Sequence, residues 1–495
     1  MNSLARPWPL FLLVAAVSLY RYGAWTMTDG ISLSSAEAQY WTWAQVPDWG
    51  YYSKPPVIAW LIHLAENLWG SDAEWVMKTI PLALYPLTAM LIYALGRRLY
   101  DPATGRDAAL LFLLMPALFL SSALVTPDVP VLLSWAASLW FLWAAVENDR
   151  WRDWLLLGLC CGLGLLSRYN MAFFAFGVLA FALGHPAERR LLINPRLYAA
   201  MGVAALVLLP NVLWNLEHEL ATWRQHAELS PSAGSLIHPR ALLEFFGAQF
   251  AVFGPVSFAL LLIGLARLPM WRRATRELRF LLAFCAAPLM LICGIALLSR
   301  AEASWAAPLY LSAAVLVAAL FRERRPWIVR ALAMNALLGV VLYHYPAVLK
   351  AAGMTLQPRY DAYQRIRGWD AIGYQAQRLM QEYGDLRLLT DERDLAATLL
   401  YYARPLQEPR VWAPPGRPPR NHYEFSIPLR EDDTGAFLWV TAGPAATEML
   451  LRFRHFERLP DLETEPYPGL RRRYEAWRVE GFKGYAPHAE PGPSP

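Results

Sequence analysis

Charge is what this 495-residue chain has least of. Only 17% of its residues are Asp, Glu, Lys or Arg, against about 25% in a soluble domain. With 56% of residues hydrophobic, the composition implies a polytopic membrane protein with room for a soluble domain. Cysteine is nearly absent. The four present, Cys160, Cys161, Cys285 and Cys293, all lie in apolar runs. That placement excludes a disulfide framework and leaves them as small core residues. No CxxC or Cys/His zinc spacing occurs. Lysine is just as scarce: Lys54, Lys78, Lys350 and Lys483 are the four among 45 basic residues. There is no Walker A motif and no GxSxG. The Gly162-Leu163-Gly164 pair sits in an apolar run and is helix packing rather than a dinucleotide loop. No internal repeat is visible. The N-terminus has an arginine and an apolar run, Trp8 to Tyr20, without a small-x-small cleavage site, which predicts an uncleaved first helix.

What is present is a series of apolar segments. A spanning helix needs about 20 mostly apolar residues. Segments 8–24, 78–97, 108–125, 129–146, 154–168, 170–184, 197–214, 242–266, 279–298, 303–321 and 327–346 qualify as spans. Eleven transmembrane helices are therefore expected. The net charge of +5 is small, but its placement is informative. With the N-terminus in the cytoplasm, the inner loops carry Arg97, Arg98, Arg189, Arg190, Arg272, Arg273, Arg322, Arg324 and Arg325. The outer connections carry few basic residues: Lys54, Lys78, Arg168, Arg224, Arg240 and Arg300. This is the positive-inside asymmetry, and it accounts for the basic loops without nucleic acid. From about residue 350 charges become frequent. Asp370–Tyr383 and Arg393–Tyr402 predict helices, and Leu386–Thr390, Ala436–Val440 and Tyr474–Val479 predict strands, with a further helix at Ala445–Phe453. Prolines 414, 415, 418 and 419 mark a loop. The expected organisation is a membrane domain over 1–349 with a first outer loop at 25–77, a small outer α/β domain over 350–485, and a disordered tail over 486–495.

Between the first two apolar segments lies SSAEAQYWTWAQVPDWGYYSKPP, Ser34 to Pro56. It is polar and aromatic, and it holds Glu37 and the rare Lys54. Ser34 and Glu37 have capping-box spacing. Read functionally, Glu37 is a carboxylate at the membrane surface, with Tyr40 and Trp41 on the same helical face, suited to a lipid–water interface. Asp128, in Thr126-Pro127-Asp128-Val129-Pro130, falls at another outer junction, where it also suits an N-cap. Asp29 is a third outer carboxylate without distinguishing context. On the cationic side, Lys54, Arg168 and Arg300 all fall on the outer face. Each either snorkels to headgroups or donates charge-assisted hydrogen bonds to a phosphate. Tyr52, Tyr169, Glu302 and Trp305 flank these residues and are expected to position substrate.

Carboxylates and cations on one membrane face suit one chemistry in particular. A carboxylate orients or deprotonates an acceptor hydroxyl, the hydroxyl attacks an anomeric carbon, and a lipid phosphate leaves beside the cations. The residues point to no particular cofactor. A divalent metal is compatible with this chemistry but supported by no motif. Glu217-His218-Glu219 with His226 matches no recognised metal spacing and suits a solvated loop. Two other readings stay open on the residues: a transporter or flippase of lipid-linked sugars, and a binding protein without turnover. A transporter usually places its charges near the midplane, often with repeat symmetry.

At these motifs the chain resembles glycosyltransferase family 39 of the GT-C membrane enzymes, and most closely the bacterial branch of lipid A aminoarabinose and related polyprenyl-phosphate-sugar transferases. The matching pieces are AEAQYWTWAQVPDWGYYSKPPVIAWLI (36–62), LVTPDVPVLLSW (124–135), GLGLLSRYNMAFF (162–174) and RAEASWAAPLYL (300–311). They occur in family order and span most of the membrane part. The resemblance implies a GT-C fold, an inverting reaction and a polyprenyl-phosphate-sugar donor. It further implies a lipid A-like, glycan or protein acceptor, at the periplasmic face of a bacterial cytoplasmic membrane. By the same resemblance Glu37 matches the Glu of an Asp-Glu pair, Asp128 the acidic residue of the second outer motif, and Lys54 the lysine of Lys-Pro-Pro, near the donor phosphate. Ala36 stands where the family has its main catalytic aspartate. An alanine neither takes a proton nor orients a hydroxyl, so the carboxylate falls to Glu37 or Asp29, the mechanism has shifted, or activity is reduced.

Overall fold

The apolar runs fold as helices, and the charge-rich C-terminal part folds around a sheet. The computed structural model describes residues 7–26, 30–218, 237–267, 274–299, 301–444 and 447–485. Asp29, Arg224, His226, Arg300 and the expected tail lie outside them. The chain forms two compact units: Met1–Met27, Pro47–Gly50 and Lys54–Tyr345 make one, and Thr28–Val46, Tyr51–Ser53 and Pro346–Pro495 the other.

In chain order the helices up to the C-terminal part are α1 (Pro7–Thr26), α2 (Ser35–Gln45), α3 (Val57–Trp69), α4 (Glu74–Leu99), α5 (Pro102–Leu113), α6 (Pro116–Ser122), α7 (Asp128–Asn148), α8 (Trp151–Ser167), α9 (Phe173–Gly184), α10 (Pro195–Glu217), α11 (Pro239–Val252), α12 (Pro255–Arg267), α13 (Arg276–Leu298), α14 (Leu309–Leu320) and α15 (Arg325–Ala351). All but α2 lie in the first unit, which α15 leaves at its C-terminal end. By length and composition five helical segments among the described residues are able to cross a membrane: α4, α7, α10, α13 and Arg322–Ala351. The count rises to seven if two bent pairs, α5–α6 at 56° and α11–α12 at 115°, each make one span. Shorter apolar helices are α3, the Tyr169–Gly184 segment that ends in α9, and α14. Prolines 116 and 255 open the second member of each bent pair, where a missing N–H costs least.

Helix ends follow the sequence. Asp101 caps α5 by accepting from the backbone N–H groups of Ala103 (2.8 Å) and Thr104 (2.9 Å), and Asn194 caps α10 through the N–H of Arg196 (2.9 Å). Gly158 and Gly162, one turn apart on α8, meet α10. A Cβ on Gly158 would lie 2.3 Å from the Ala200 carbonyl oxygen, and one on Gly162 would lie 2.6 Å from Val207 Cβ. Glycine lets the two backbones approach, as small residues do between membrane helices.

The C-terminal ends of α5 and α6 leave carbonyls that apolar surroundings cannot solvate. Side chains take them up. Arg21 donates to the Leu113 carbonyl, Tyr343 to that of Phe119 at 2.5 Å, and Lys78 to that of Ala123 at 2.5 Å. Lys78, expected in an outer connection, is instead a buried residue of α4. Cations at the carbonyl ends of helices are also favoured by the helix dipole.

The second unit adds α16 (Trp369–Glu382), β1 (Arg387–Thr390), α17 (Arg393–Tyr402), β2 (Arg410–Val411), α18 (His422–Ser426), β3 (Ala436–Thr441), α19 (Thr447–Leu450), β4 (Phe453–Arg458), β5 (Leu462–Tyr467) and β6 (Leu470–Phe482). The strands run in the order β2-β1-β3-β6-β4, with β5 also on β6. β1 is parallel to β2 and β3, and the other pairings are antiparallel. Leu389, Phe437, Trp439, Phe453, Val479 and Phe482 form the core beneath the sheet. The helix at Arg393–Tyr402 has the expected bounds. The helix expected at Ala445–Phe453 ends at Leu450, and Phe453 is instead the buried first residue of β4, while Ala445 and Ala446 lie outside the described residues.

Candidate active site

The Ser34–Pro56 stretch is divided: Glu37, Tyr40, Trp41 and Tyr52 belong to the second unit, and Lys54 to the first. The two parts are described in turn.

In the second unit α2 begins with a complete capping box. Ser34 Oγ accepts from the Glu37 N–H at 3.2 Å, while Glu37 Oε2 accepts from the Ser34 N–H at 3.0 Å and its hydroxyl at 2.9 Å. Glu37 is therefore a buried, held carboxylate, 1% exposed. Ala36, beside it in the first turn, is half-buried. Tyr40 and Trp41 are also buried. They were expected at a lipid–water interface, but protein encloses them. The Trp41 ring meets the Tyr401 ring edge-on at 5.0 Å and the Arg404 guanidinium at 4.4 Å. Tyr52 is buried and donates its hydroxyl to the Pro419 carbonyl. Trp43 stacks on Tyr51 at 4.7 Å, and His422 closes that aromatic group, 5.5 Å from Trp43 and 6.1 Å from Tyr51. Burial pushes the His422 imidazole down to about 3.

In the first unit a single guanidinium collects three distant motifs. Arg168 follows α8 in an extended conformation and pairs with Asp128 at the start of α7. Its Nη2 donates to Glu302 Oε2 at 2.9 Å and to the Ser304 hydroxyl at 3.3 Å. Trp305 Nε1 donates to the same Glu302 oxygen at 3.2 Å. Asp128 does not cap α7, since Pro127 occupies the cap position. Its side chain turns to Arg168 instead. The Arg168 side chain is 13% exposed, Asp128 20% and Glu302 68%, so the cluster is sheltered at its centre and open at Glu302. Arg168 thus aligns two carboxylates, a contact additional to the snorkelling or phosphate-binding roles expected from the sequence.

Tyr169, next in the chain, donates to Asn211 Oδ1 at 2.7 Å, and Asn211 Nδ2 donates to the Trp49 carbonyl at 2.7 Å. Trp214 Nε1 donates to Asp48 Oδ2 at 2.7 Å, and Trp60 Nε1 to the Asp48 carbonyl at 2.9 Å. The Asp48-Trp49-Gly50 turn is thereby fastened to α10 and α3, four residues ahead of the half-buried Lys54. Gly50 is required there, because a Cβ would lie 2.5 Å from the Trp214 ring. Asn211, Asp48, Trp214 and Ser304 were not singled out from the sequence. The signal for Asn211 was a polar residue within an apolar span, which is rare without a function or a partner. His218 stacks on Trp214 at 4.1 Å. Arg300 lies outside the described residues, as do Glu219 and His226. Among the described residues no group of three His, Cys, Asp or Glu side chains is arranged to hold a metal ion.

The chain is similar to several known proteins. Residues 53–214 match the family model described as dolichyl-phosphate-mannose-protein mannosyltransferase. The lipid A galacturonosyltransferase RgtD of Rhizobium johnstonii is 31% identical over 411 residues, 82% of this chain and 85% of that protein. An undecaprenyl phosphate-alpha-4-amino-4-deoxy-L-arabinose arabinosyl transferase of Pseudomonas fluorescens is 27% identical over 241 residues, 45% of this chain and 43% of that one. The crystal structure of ArnT from Cupriavidus metallidurans bound to undecaprenyl phosphate superposes with a TM-score of 0.62 at 14% identity, covering 94% of this chain and 97% of that one, so the fold is shared. A multi-pass fold, the four motifs in order and a relative matched over most of its length together make the chain a member of glycosyltransferase family 39 in the GT-C superfamily, in the branch that includes the lipid A galacturonosyltransferases and aminoarabinose transferases.

Proposed function

We propose that this glycosyltransferase moves a sugar from a polyprenyl-phosphate donor to a lipid A-like acceptor. Glycan and protein hydroxyls are chemically possible acceptors too. The observation that carries the reading is the convergence of Asp128, Arg168 and Glu302, from three separate motifs, on one salt-bridged cluster. The relatives named for lipid A and undecaprenyl phosphate support the donor and acceptor classes.

In this proposal the acceptor hydroxyl attacks the anomeric carbon as the sugar–phosphate bond breaks. The hydroxyl proton passes to a carboxylate, and the polyprenyl phosphate leaves with the bonding electron pair. One displacement inverts the anomeric centre. Asp128, aligned by Arg168, positions or deprotonates the hydroxyl. Lys54, with Arg168 and, on motif grounds alone, Arg300, stabilises the growing charge of the leaving phosphate. Glu302, Trp305 and Tyr169 orient the substrates, as do Tyr40, Trp41 and Tyr52 on motif grounds. On motif grounds alone Glu37 is a second carboxylate of the reaction. Ala36 removes the family's usual aspartate, and it makes slow turnover the natural variant of this reading. The proposal sets the membrane domain at 1–349 with eleven spans and the C-terminal domain at 350–485. It places the reaction on the periplasmic side of the bacterial inner membrane. The arginine asymmetry between alternate loops supports that orientation.

The direct test is mass spectrometry of envelope lipids and glycans from cells with and without the gene. A sugar-sized mass difference on a glycolipid is expected. Identical profiles under conditions where the protein is made would refute the proposal.

A further inference from the structure

The α2 helix, which carries AEAQYWTWAQ, packs within the same compact unit as the C-terminal sheet domain. Its partners there are specific. Gln39 is buried, and its Oε1 accepts two hydrogen bonds from Arg393, from Nε at 2.9 Å and Nη2 at 2.6 Å. Arg393 is the first residue of α17. At the other end of α17, the Tyr402 hydroxyl accepts from the backbone N–H of Leu33 at 2.6 Å. The Trp41 ring packs against both the Tyr401 ring and the Arg404 guanidinium, which also lies over Tyr401 at 4.5 Å, and the Arg404 backbone sits in the left-handed region at φ 46°. A non-glycine residue held there costs on the order of 1–3 kcal/mol and persists only when its surroundings fix it. The segment before α2 is stitched down as well: Ser32 N–H donates to the Ile366 carbonyl at 2.7 Å, and the Trp369 N–H to the Ser32 hydroxyl at 3.3 Å.

These contacts set three things about α2: where it starts, through Leu33; its rotation, through Gln39; and its depth, through Trp41. A short helix of 11 residues has little stability of its own. We infer that α17 is the seat of the motif helix, and that Arg393 and Tyr402 are positioning residues for the glycosyl transfer. The C-terminal domain then contributes directly to the reaction, by fixing the helix that begins at Ser35. This inference rests on the proposed glycosyl transfer for its catalytic half, and on hydrogen bonds and ring contacts for its structural half.

The test uses the full chain in lipid nanodiscs, with Arg393→Ala and Tyr402→Phe. Amide hydrogen exchange is read over 33–45 and, as a folding control, over β3. Turnover is read with an undecaprenyl-phosphate-linked sugar as probe. The expected result is faster exchange over 33–45 with β3 unchanged, and a kcat about 10- to 100-fold lower at unchanged donor KM, since misplacement by about 1 Å is enough for such a loss. Unchanged exchange over 33–45 in both variants would overturn the seat. Faster exchange with full kcat would overturn the positioning role. If Arg393→Ala also loosens β3, Tyr402→Phe, which removes one oxygen, decides between these outcomes. Wild type without transfer on any donor would count against the proposed function, while the exchange data still decide whether α17 seats α2.

Discussion

Arg168 Nη2 lies 2.9 Å from Glu302 Oε2, joining residues 134 positions apart in the chain. The same guanidinium holds Asp128. An arginine fork is rigid and planar, so it fixes the direction of both carboxylates as well as their distance. That geometric constraint is what distinguishes the cluster from charges that merely snorkel.

Arg168→Lys keeps the charge and loses the fork. Turnover is expected to fall at least about tenfold, as one lysine cannot align two carboxylates that a planar fork aligned. Glu302→Gln, at the exposed end of the cluster, is expected to cost less. Steady-state transfer rates check the ranking, and equal activity of Arg168→Lys and wild type contradicts it.

Ala36→Asp returns a carboxylate to the position where the family carries one. The site is half-buried in the first turn of α2, where an acidic side chain is favoured by about 0.3–1 kcal/mol through the helix dipole. Folding is expected to be unharmed and kcat to rise. A folded variant with unchanged or lower kcat would mean that chemistry here does not depend on that carboxylate.

Gly50→Ala drives a methyl group to within 2.5 Å of the Trp214 ring. Overpacking of this kind costs about 1–3 kcal/mol, and the Asp48–Gly50 turn is expected to lift from α10. Thermal unfolding is expected to show a lower Tm. Asn211→Leu, which removes the tie between Tyr169 and Trp49, is expected to lower it too. No change in either variant contradicts the fastening.

His422 makes the second unit sensitive to acid. Burial depresses its folded pKa to about 3 from an ordinary 6.5. Below pH 6.5 the unfolded chain binds a proton that the folded chain refuses until about pH 3. The sign is therefore loss of stability as pH falls through that window, by at most about 1.4 kcal/mol per pH unit. Exchange protection of β3 at pH 7 and pH 5 should fall more steeply in wild type than in His422→Phe. Equal slopes contradict this.

The motifs were legible because they carry unusual residues in unusual places: a rare lysine, a Thr-Pro-Asp-Val-Pro junction, an arginine ending an apolar run. The helices expected at Asp370–Tyr383 and Arg393–Tyr402 were legible from amphipathic periodicity, while the five-residue α18 was not. Other features were hidden for physical reasons. β4 (FRHFER) and β5 (LETEPY) are charge-rich and mostly exposed or half-buried, so no apolar alternation marks them. The bend at Pro116 is invisible to a hydropathy window, and so is the burial of Lys78 against the Ala123 carbonyl. Convergence is the least legible of all: nothing local in Ser167-Arg168-Tyr169 says that Glu302 will meet it.

The central claim is that the Arg168 cluster serves sugar transfer from a polyprenyl-phosphate donor. The measurement that tests it most directly is transfer in nanodiscs, with undecaprenyl-phosphate-linked sugars and lipid A, comparing wild type with Asp128→Asn. Sugar-modified lipid A from wild type and a loss of at least about 100-fold in the isosteric variant is the predicted result. Equal turnover by the two proteins would contradict it.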